Sequence, residues 1–430
     1  MKRSNLLHVA LAPGLTLGLA FSLTACAGDG DSPASATTFP AGPAAPADDD
    51  SNDTEPEPEP DPEPEDDGDD ESSTGSPEEP ADHDALDQFI LGLGRLDIDP
   101  VAGKHQIACN PNSMECLDPW TQGDLTCNQV YYSETKHLDQ FIAIVPDSPS
   151  LWPGAVLRSG DMSNGVLSQI GLERAPGTFS LSLENLNASP KATMEAPTLS
   201  EFRDLRNEML AQGTSGNTAA QISYEIHRIF SKSQFALKVG ADFNWVGIVD
   251  VDAMYDFQEG EFANKYLIDF TQTYYTADFD TPPRPSDMFG EFVGVEDAEL
   301  FMGEGDPPMY MQSVSYGRRV LFAIESNDTL EVMVAAIDAA FGDGIAGVEV
   351  DVGSEEVLNA AKITATVLGG NAEDAVQTIL GPEQMIEYIL EGGNYSTESP
   401  GVPIAYKAAY LDNSPARLAL TAIYPEVQCQ

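Results

Sequence analysis

Apolar and polar positions change period several times along the chain, and each change predicts an element. Residues 84–91, Asp-Ala-Leu-Asp-Gln-Phe-Ile-Leu, carry apolar side chains at helical spacing, with Asp84 as the candidate N-cap. At 222–226 the period is two: Ile222, Tyr224 and Ile226 share one side of a strand, and Ser223 and Glu225 share the other. Residues 320–325, Val-Leu-Phe-Ala-Ile-Glu, read as a further strand. From 328 to 341 the spacing is helical again: Leu330, Met333, Val334, Ile337 and Phe341 form one stripe, and Gly342 closes it. A last helix fits 382–390, with Gly392 and Gly393 behind it. Strands and helices are mixed without a repeating βα order, so the fold class is α+β.

The pattern begins only near residue 84, and what precedes it is of another kind. Lys2 and Arg3 open a basic start, an apolar run follows from Leu6 to Leu23, and Leu23-Thr24-Ala25-Cys26 closes it. This resembles a bacterial lipoprotein signal and its lipobox, which implies that residues 1–26 are a signal peptide and that Cys26 is lipidated. The apolar run is interrupted by Pro13 and several glycines and falls short of the ~20 clean apolar residues of a spanning helix. The mature chain is then expected to be lipid-anchored in the bacterial cell envelope, or secreted or at the cell surface, with its polypeptide in water. Residues 27–83 hold 20 acidic residues and no Lys or Arg, including a Glu-Pro repeat from Glu55 to Pro60. Like-charge repulsion and proline make this a stiff, disordered tether, which leaves 84–430 as the folded core.

Charge narrows the classes further. The 430 residues carry 20 Lys+Arg against 71 Asp+Glu, a formal net charge of −51, and this excludes a nucleic-acid binder held by phosphate contacts. The 42% hydrophobic content is enough for a sizeable core. Besides Cys26, four cysteines remain, Cys109, Cys116, Cys127 and Cys429, as disulfide candidates of an oxidising compartment. Four cysteines allow three pairings, and Cys429 is placed to staple the chain's end to the earlier cluster. No His ligands stand at metal spacing, and there is no His-Glu-x-x-His, no Gly-x-Ser-x-Gly and no Gly-rich phosphate loop. Neither a catalytic residue, a metal site nor a cofactor is expected, and the protein reads as a non-enzyme.

Short segments point to a family. Leu151-Trp152-Pro153-Gly154-Ala155-Val156-Leu157, Glu173-Arg174-Ala175-Pro176 and Lys238-Val239-Gly240-Ala241-Asp242-Phe243 come in that order. They are followed by Gln272-Thr273-Tyr274-Tyr275-Thr276, Ser313-Val314-Ser315-Tyr316-Gly317-Arg318, Val367-Leu368-Gly369-Gly370 and Pro400-Gly401-Val402-Pro403-Ile404-Ala405-Tyr406. In order and spacing, across roughly 131–425, these resemble the thiol-activated, cholesterol-dependent cytolysins.

The resemblance implies a twisted antiparallel central sheet flanked by two helical clusters, which unfurl into membrane hairpins when monomers assemble into a ring. By position the clusters fall at about 196–224 and 290–316, with Ile222, Tyr224, Met309, Met311 and Tyr316 as hairpin candidates. The helix at 328–341 stands where family members cover a sheet edge, so Leu330, Met333, Val334, Ile337 and Phe341 are expected to form that cover. An uncovered edge pairs with any strand it meets, which makes the cover the assembly switch. Gly369 and Gly370 match the family's glycine pair, a hinge where the sheet bends.

The family's C-terminal domain, with its Trp-rich loop and cholesterol-recognising Thr-Leu pair, is expected to begin near 425, and the sequence given ends at Gln430. Cys429 lies in Val427-Gln428-Cys429-Gln430 and not in a Trp-rich loop, so direct cholesterol binding and thiol activation are not expected. Two functions remain open. One is a pore-forming surface lipoprotein that self-associates on a lipid membrane, alone or with a longer cytolysin-like partner. The other is a non-lytic binding or assembly lipoprotein that keeps the cytolysin core.

Overall fold

A computed structural model of the chain describes residues 79–96, 101–143, 148–162, 166–216, 219–240, 254–255, 263–344, 350–368, 376–379, 381–391 and 394–430. Along it run α1 (His83–Gly92), β1 (Gly103–Ile107), β2 (Trp120–Gln122), β3 (Leu125–Leu138), β4 (Phe141–Ile142), β5 (Val156–Arg158), α2 (Ser159–Met162), β6 (Gly177–Leu181), β7 (Lys191–Met194), α3 (Leu199–Ala211), β8 (Gln221–Arg228) and α4 (Lys232–Val239). Then follow β9 (Asn264–Phe279), α5 (Val295–Ala298), β10 (Pro308–Ser326), α6 (Leu330–Ala339), α7 (Val352–Asn359), β11 (Lys362–Leu368), β12 (Val376–Ile379), α8 (Gly381–Glu391), β13 (Val402–Tyr410) and β14 (Leu418–Cys429).

The two longest strands organise a ten-stranded sheet. With 16 and 19 residues, β9 and β10 each outrun a single neighbour, so each serves two. The first part of β9, the last half of β10 and the whole of β11 make a lower sheet in the order β8-β9-β10-β11-β12, antiparallel throughout. At the opposite ends β6 pairs with the outer side of β9 and β13 with the outer side of β10, while β5 takes β9's place beside the start of β10, where Met309 and Tyr310 pair with β5 and β13 at once. Between the two halves the register slips at Tyr316/Gly317, where Tyr274 is the extra residue of a bulge that bends β9.

Alternation decides what each face buries. Ile268 and Phe270 on β9, with Val320, Phe322 and Ile324 on β10, point to a core capped by α6, α7 and α8. The interleaved Leu267, Leu321 and Ala323 point the other way, to a core shared with Phe235 and Val239 of α4. A third core fills the upper half around Trp152, Phe179, Phe202 and Tyr310. The strand expected at 222–226 is β8, and Ile222, Tyr224 and Ile226 pack together against the first of these cores.

A second sheet, β1-β3-β14 with β2 on β3, carries the chain's end. Its closing bond is Cys127–Cys429, between residues that face each other in the β3/β14 register, and Cys109–Cys116 ties the loop before β2. Of the open pairings these are the ones formed, and the expected staple of the C-terminal segment to the earlier cysteine cluster is present.

Two local expectations change. The cap of α1 is Asp82, whose carboxylate accepts from Asp84 N and Ala85 N, while Asp84 pairs with Arg284. Both acids satisfy the cap's chemistry, and only the backbone turn, extended at Asp82, selects between them. The stripe from Leu330 does not stop at Gly342 either: a π-helical turn, Ala340–Gly344, carries it onward and lets Phe341 reach the core.

Candidate functional site

Four adjacent strands, β8, β9, β10 and β11, are joined by two connections of equal length. Residues 229–263 leave the end of β8 and return as β9; residues 327–361 leave the end of β10 and return as β11; each is 35 residues. A hairpin loop needs two to five residues, so each connection carries about thirty more than the turn requires. Where described, the surplus is helical: α4 in the first connection, α6 and α7 in the second. They lie on opposite faces of the sheet, as the alternation of Leu267 and Ile268 shows.

The helix α4 starts at the Ser231 cap, which accepts from Gln234 N, and ends at Gly240, which takes a left-handed conformation at φ 82°. Phe235 and Val239 face the central sheet, whereas Leu237 turns to Tyr424 and Ala422 of β14. Polar side chains fasten both ends. Ser233 Oγ donates to Ile423 O at 3.0 Å, Lys238 Nζ donates to both oxygens of Glu134 at 2.8 Å, and the Tyr424 hydroxyl donates to the same carboxylate. Burial alone would raise the Glu134 carboxyl, but the hydrogen bonds from Lys238 and Tyr424 and the charges of Lys238 and Lys136 outweigh it and hold it below the usual range. From the sheet, Arg319 Nη2 donates to Val239 O at 2.9 Å while its guanidinium is paired with Asp269. Beside this contact lies a cavity of about 510 Å³ on the sheet face next to α4, lined in part by Lys136, Thr271, Thr273, Ser315, Arg319 and Lys407. At the far end of the same connection Tyr255 is buried, its hydroxyl donating to Tyr266 O at 2.8 Å, and burial pushes that phenol well up.

The helix α6 is held mainly by apolar contact. Met333 and Ile337 are fully buried, and the Phe341 ring meets Tyr224 edge-on at 4.9 Å and Phe270 at 5.4 Å. One polar tie adds to these: the Tyr224 hydroxyl donates to Asp338 Oδ1 at 2.9 Å.

Among the described residues the outer edge of β11 is closed by β12 alone, over the four pairs Ile363↔Ile379 to Thr366↔Val376. The chain then turns directly into α8, whose Met385 and Ile389 enter the core beneath. Among the described residues no strand pairs with the far edge of β8.

This geometry corrects the expected sites. Ile222 and Tyr224 stand in β8, and Met309, Met311 and Tyr316 stand in β10; all five are already strand residues of the sheet, the last three buried. The segments 196–224 and 290–316 hold the helices α3 and α5 and are otherwise loop and paired strand. Leu330, Met333, Val334, Ile337 and Phe341 do share a helix and its π-helical extension, with Val334 and Leu330 half-buried. That helix lies on the sheet's face and covers no edge, because its connection returns to the strand next to the one it left. Gly369 and Gly370 lie outside the described residues, between β11 and β12. Cys26 is outside them as well.

Both connections carry a further pattern in the sequence. Phe235, Leu237, Val239, Ala241, Phe243 and Trp245 alternate with Ala, Lys, Gly, Asp and Asn, and Val249, Val251, Ala253, Tyr255 and Phe257 alternate with Asp, Asp, Met and Asp. In the second connection Val348, Val350 and Val352 alternate with Glu349 and Asp351. Strand-type spacing thus runs through a segment that folds as helix at 232–239.

The sequence and the fold match known proteins. A family model described as thiol-activated cytolysin matches residues 133–429. Pneumolysin of Streptococcus pneumoniae is 30% identical over 293 residues, covering 65% of this chain and 60% of its own length. Listeriolysin O of Listeria monocytogenes is 29% identical over 376 residues, 83% of this chain and 68% of its own. Among solved structures, the human-specific toxin intermedilysin superposes with a TM-score of 0.66 at 26% identity, over 81% of this chain and 75% of that one. Pneumolysin does so at 0.64 and 26%, with the same coverage. The chain belongs to the thiol-activated cytolysin family, with a core of the pore-forming toxin type. It spans about 60% of the length of the curated pneumolysin.

Proposed function

We propose that this protein is a pore-forming surface lipoprotein whose two 35-residue connections, 229–263 and 327–361, leave the faces of the central sheet and extend its strands as membrane hairpins. The observation that carries the reading is the strand-type alternation at 235–245 and 249–257, the first of which begins in a segment that folds as helix at 232–239. A membrane strand takes ~9–11 residues, so each connection is long enough for two strands and a turn. Backbone groups in lipid must all be bonded, and strands achieve this only in a closed barrel, which requires many copies. Copies join edge to edge: once β12 and α8 leave β11, its bare edge accepts the open edge of β8 from a neighbour. Cys26 holds the protein at a membrane by acyl chains, and residues 27–83 and 84–430 serve as tether and core. A longer cytolysin-like partner supplies target recognition where the core alone does not bind.

Two measurements test this. Cys26→Ala is expected to move the protein from the membrane fraction to the soluble one, and retention in high salt would refute the anchor. The same soluble variant, added to dye-loaded liposomes of varied composition with and without such a partner, is expected to release dye and form rings visible by electron microscopy. Intact liposomes under every composition would favour the non-lytic reading.

A further inference from the structure

The last four carbonyls of a helix have no partner within it. In α8, whose last residue is Glu391, two of these four are taken by side chains from the central sheet. Gln272 Nε2 donates to Ile389 O at 2.8 Å, and Arg318 Nη1 donates to Tyr388 O at 2.8 Å. The Arg318 guanidinium also lies over the Tyr388 ring, 4.2 Å from its centre. Gln272 and Arg318 face each other across β9 and β10, one pair below the bulge at Tyr316/Gly317. They grip the helix at the level where the sheet bends.

The chemistry at Gln272 is incomplete. The residue is fully buried, yet its Oε1 has no hydrogen-bond partner among the described residues. A buried unpaired oxygen costs about as much as the neighbouring bond gains, so an aliphatic side chain of the same volume would serve the core at least as well. What the amide adds is a directed hold on one carbonyl of α8. The rest of the cover is four residues of β12 on β11 and the α8 side chains Pro382, Met385 and Ile389, with Ile386 and Tyr388 half-buried beside them.

We propose that Gln272 and Arg318 are positioning residues that latch α8, and through it β12, over the edge of β11, so that their letting go exposes that edge to a second copy of this chain. The second half rests on the function proposed above; the first half does not.

Hydrogen exchange on the full chain, read by mass spectrometry, separates the two. In Gln272→Leu and Arg318→Ala the amides of 376–379 and 381–391 are expected to exchange about tenfold faster or more, with α1 and α4 unchanged. Arg318→Lys, which keeps a donor and the charge, is expected to recover part of the protection. Tyr388→Leu reaches the same latch from the helix side and leaves the sheet intact should either sheet variant fail to fold. Unchanged exchange in α8 in these variants, or a rise spread evenly over the molecule, would overturn the latch. Faster exchange confined to β12 and α8 supports it. If that local loosening brings no self-association on liposomes, the latch stands and the assembly reading fails.

Discussion

Gly317 shows how much one side chain, or its lack, decides. A Cβ there would lie 1.9 Å from Gln272 O, so β9 and β10 close at the bulge only because position 317 has none. Gly401, at φ +79°, repeats the argument from the other side: its Cβ would stand 2.7 Å from Gly317 N. The segments 313–318 and 400–406, separate along the chain, thus interlock through their glycines. Gly317→Ala is expected to cost ~3 kcal/mol, because backbone atoms and not a flexible side chain would have to yield, whereas Gly342→Ala, with nothing within 4 Å, is expected to change little. Calorimetric melting of the two variants against the parent checks this. The family motifs were legible in the sequence, and so were the glycines within them. Their close approach was not, since it depends on a neighbouring strand some 45 residues away in sequence, whose pairing no local pattern encodes. The same limit applies to Arg174, whose guanidinium donates to Met288 O and Gly154 O and so joins two of the motifs.

Among the elements, periodicity located the helices and misplaced their roles. The stripe Leu330, Met333, Ile337 and Phe341 is where the helical spacing puts it, and Met333, Ile337 and Phe341 are buried. Whether such a stripe meets a face or an edge depends on strand order, and strand order is a property of distant pairings. The four-residue β12 that does close the edge is too short to stand out as a period-two run. At 235–245 strand spacing and helical burial coexist in one segment, so a reading that seeks one period per element passes over it. The helix α4 also carries a test in its ties to the second sheet. The Glu134 carboxyl is held below its ordinary range, so its contribution is present above the unfolded value near 4.3 and is lost as pH falls through the lower folded value. Urea midpoints measured from neutral pH into acid are expected to fall for the parent below about pH 4. Glu134→Gln is expected to start ~1–3 kcal/mol less stable at neutral pH and to show a shallower acid slope. Parallel slopes would remove Glu134 from the account.

At the scale of the whole molecule, the sheet's lower half is a four-stranded unit with two long connections folded back on its opposite faces. Its one closed edge rests on β12 and α8, and its other edge is unpaired among the described residues. The second sheet, closed by Cys127–Cys429 across 302 residues, lies against α4 and fixes where the first connection is stored. The class of the fold, the disulfide chemistry and the family were legible in the sequence. Which segments the proposed conversion would use was not, because that reading rests on which strands are neighbours. The central claim is that residues 235–245 become a membrane strand, and single cysteines carrying an environment-sensitive dye at each position from 234 to 245 test it most directly. On liposomes that the protein makes leak, the account predicts dye entering an apolar environment at 235, 237, 239, 241, 243 and 245 and staying in water at the positions between. A repeat near 3.6, or no change at any position in leaking liposomes, would contradict it.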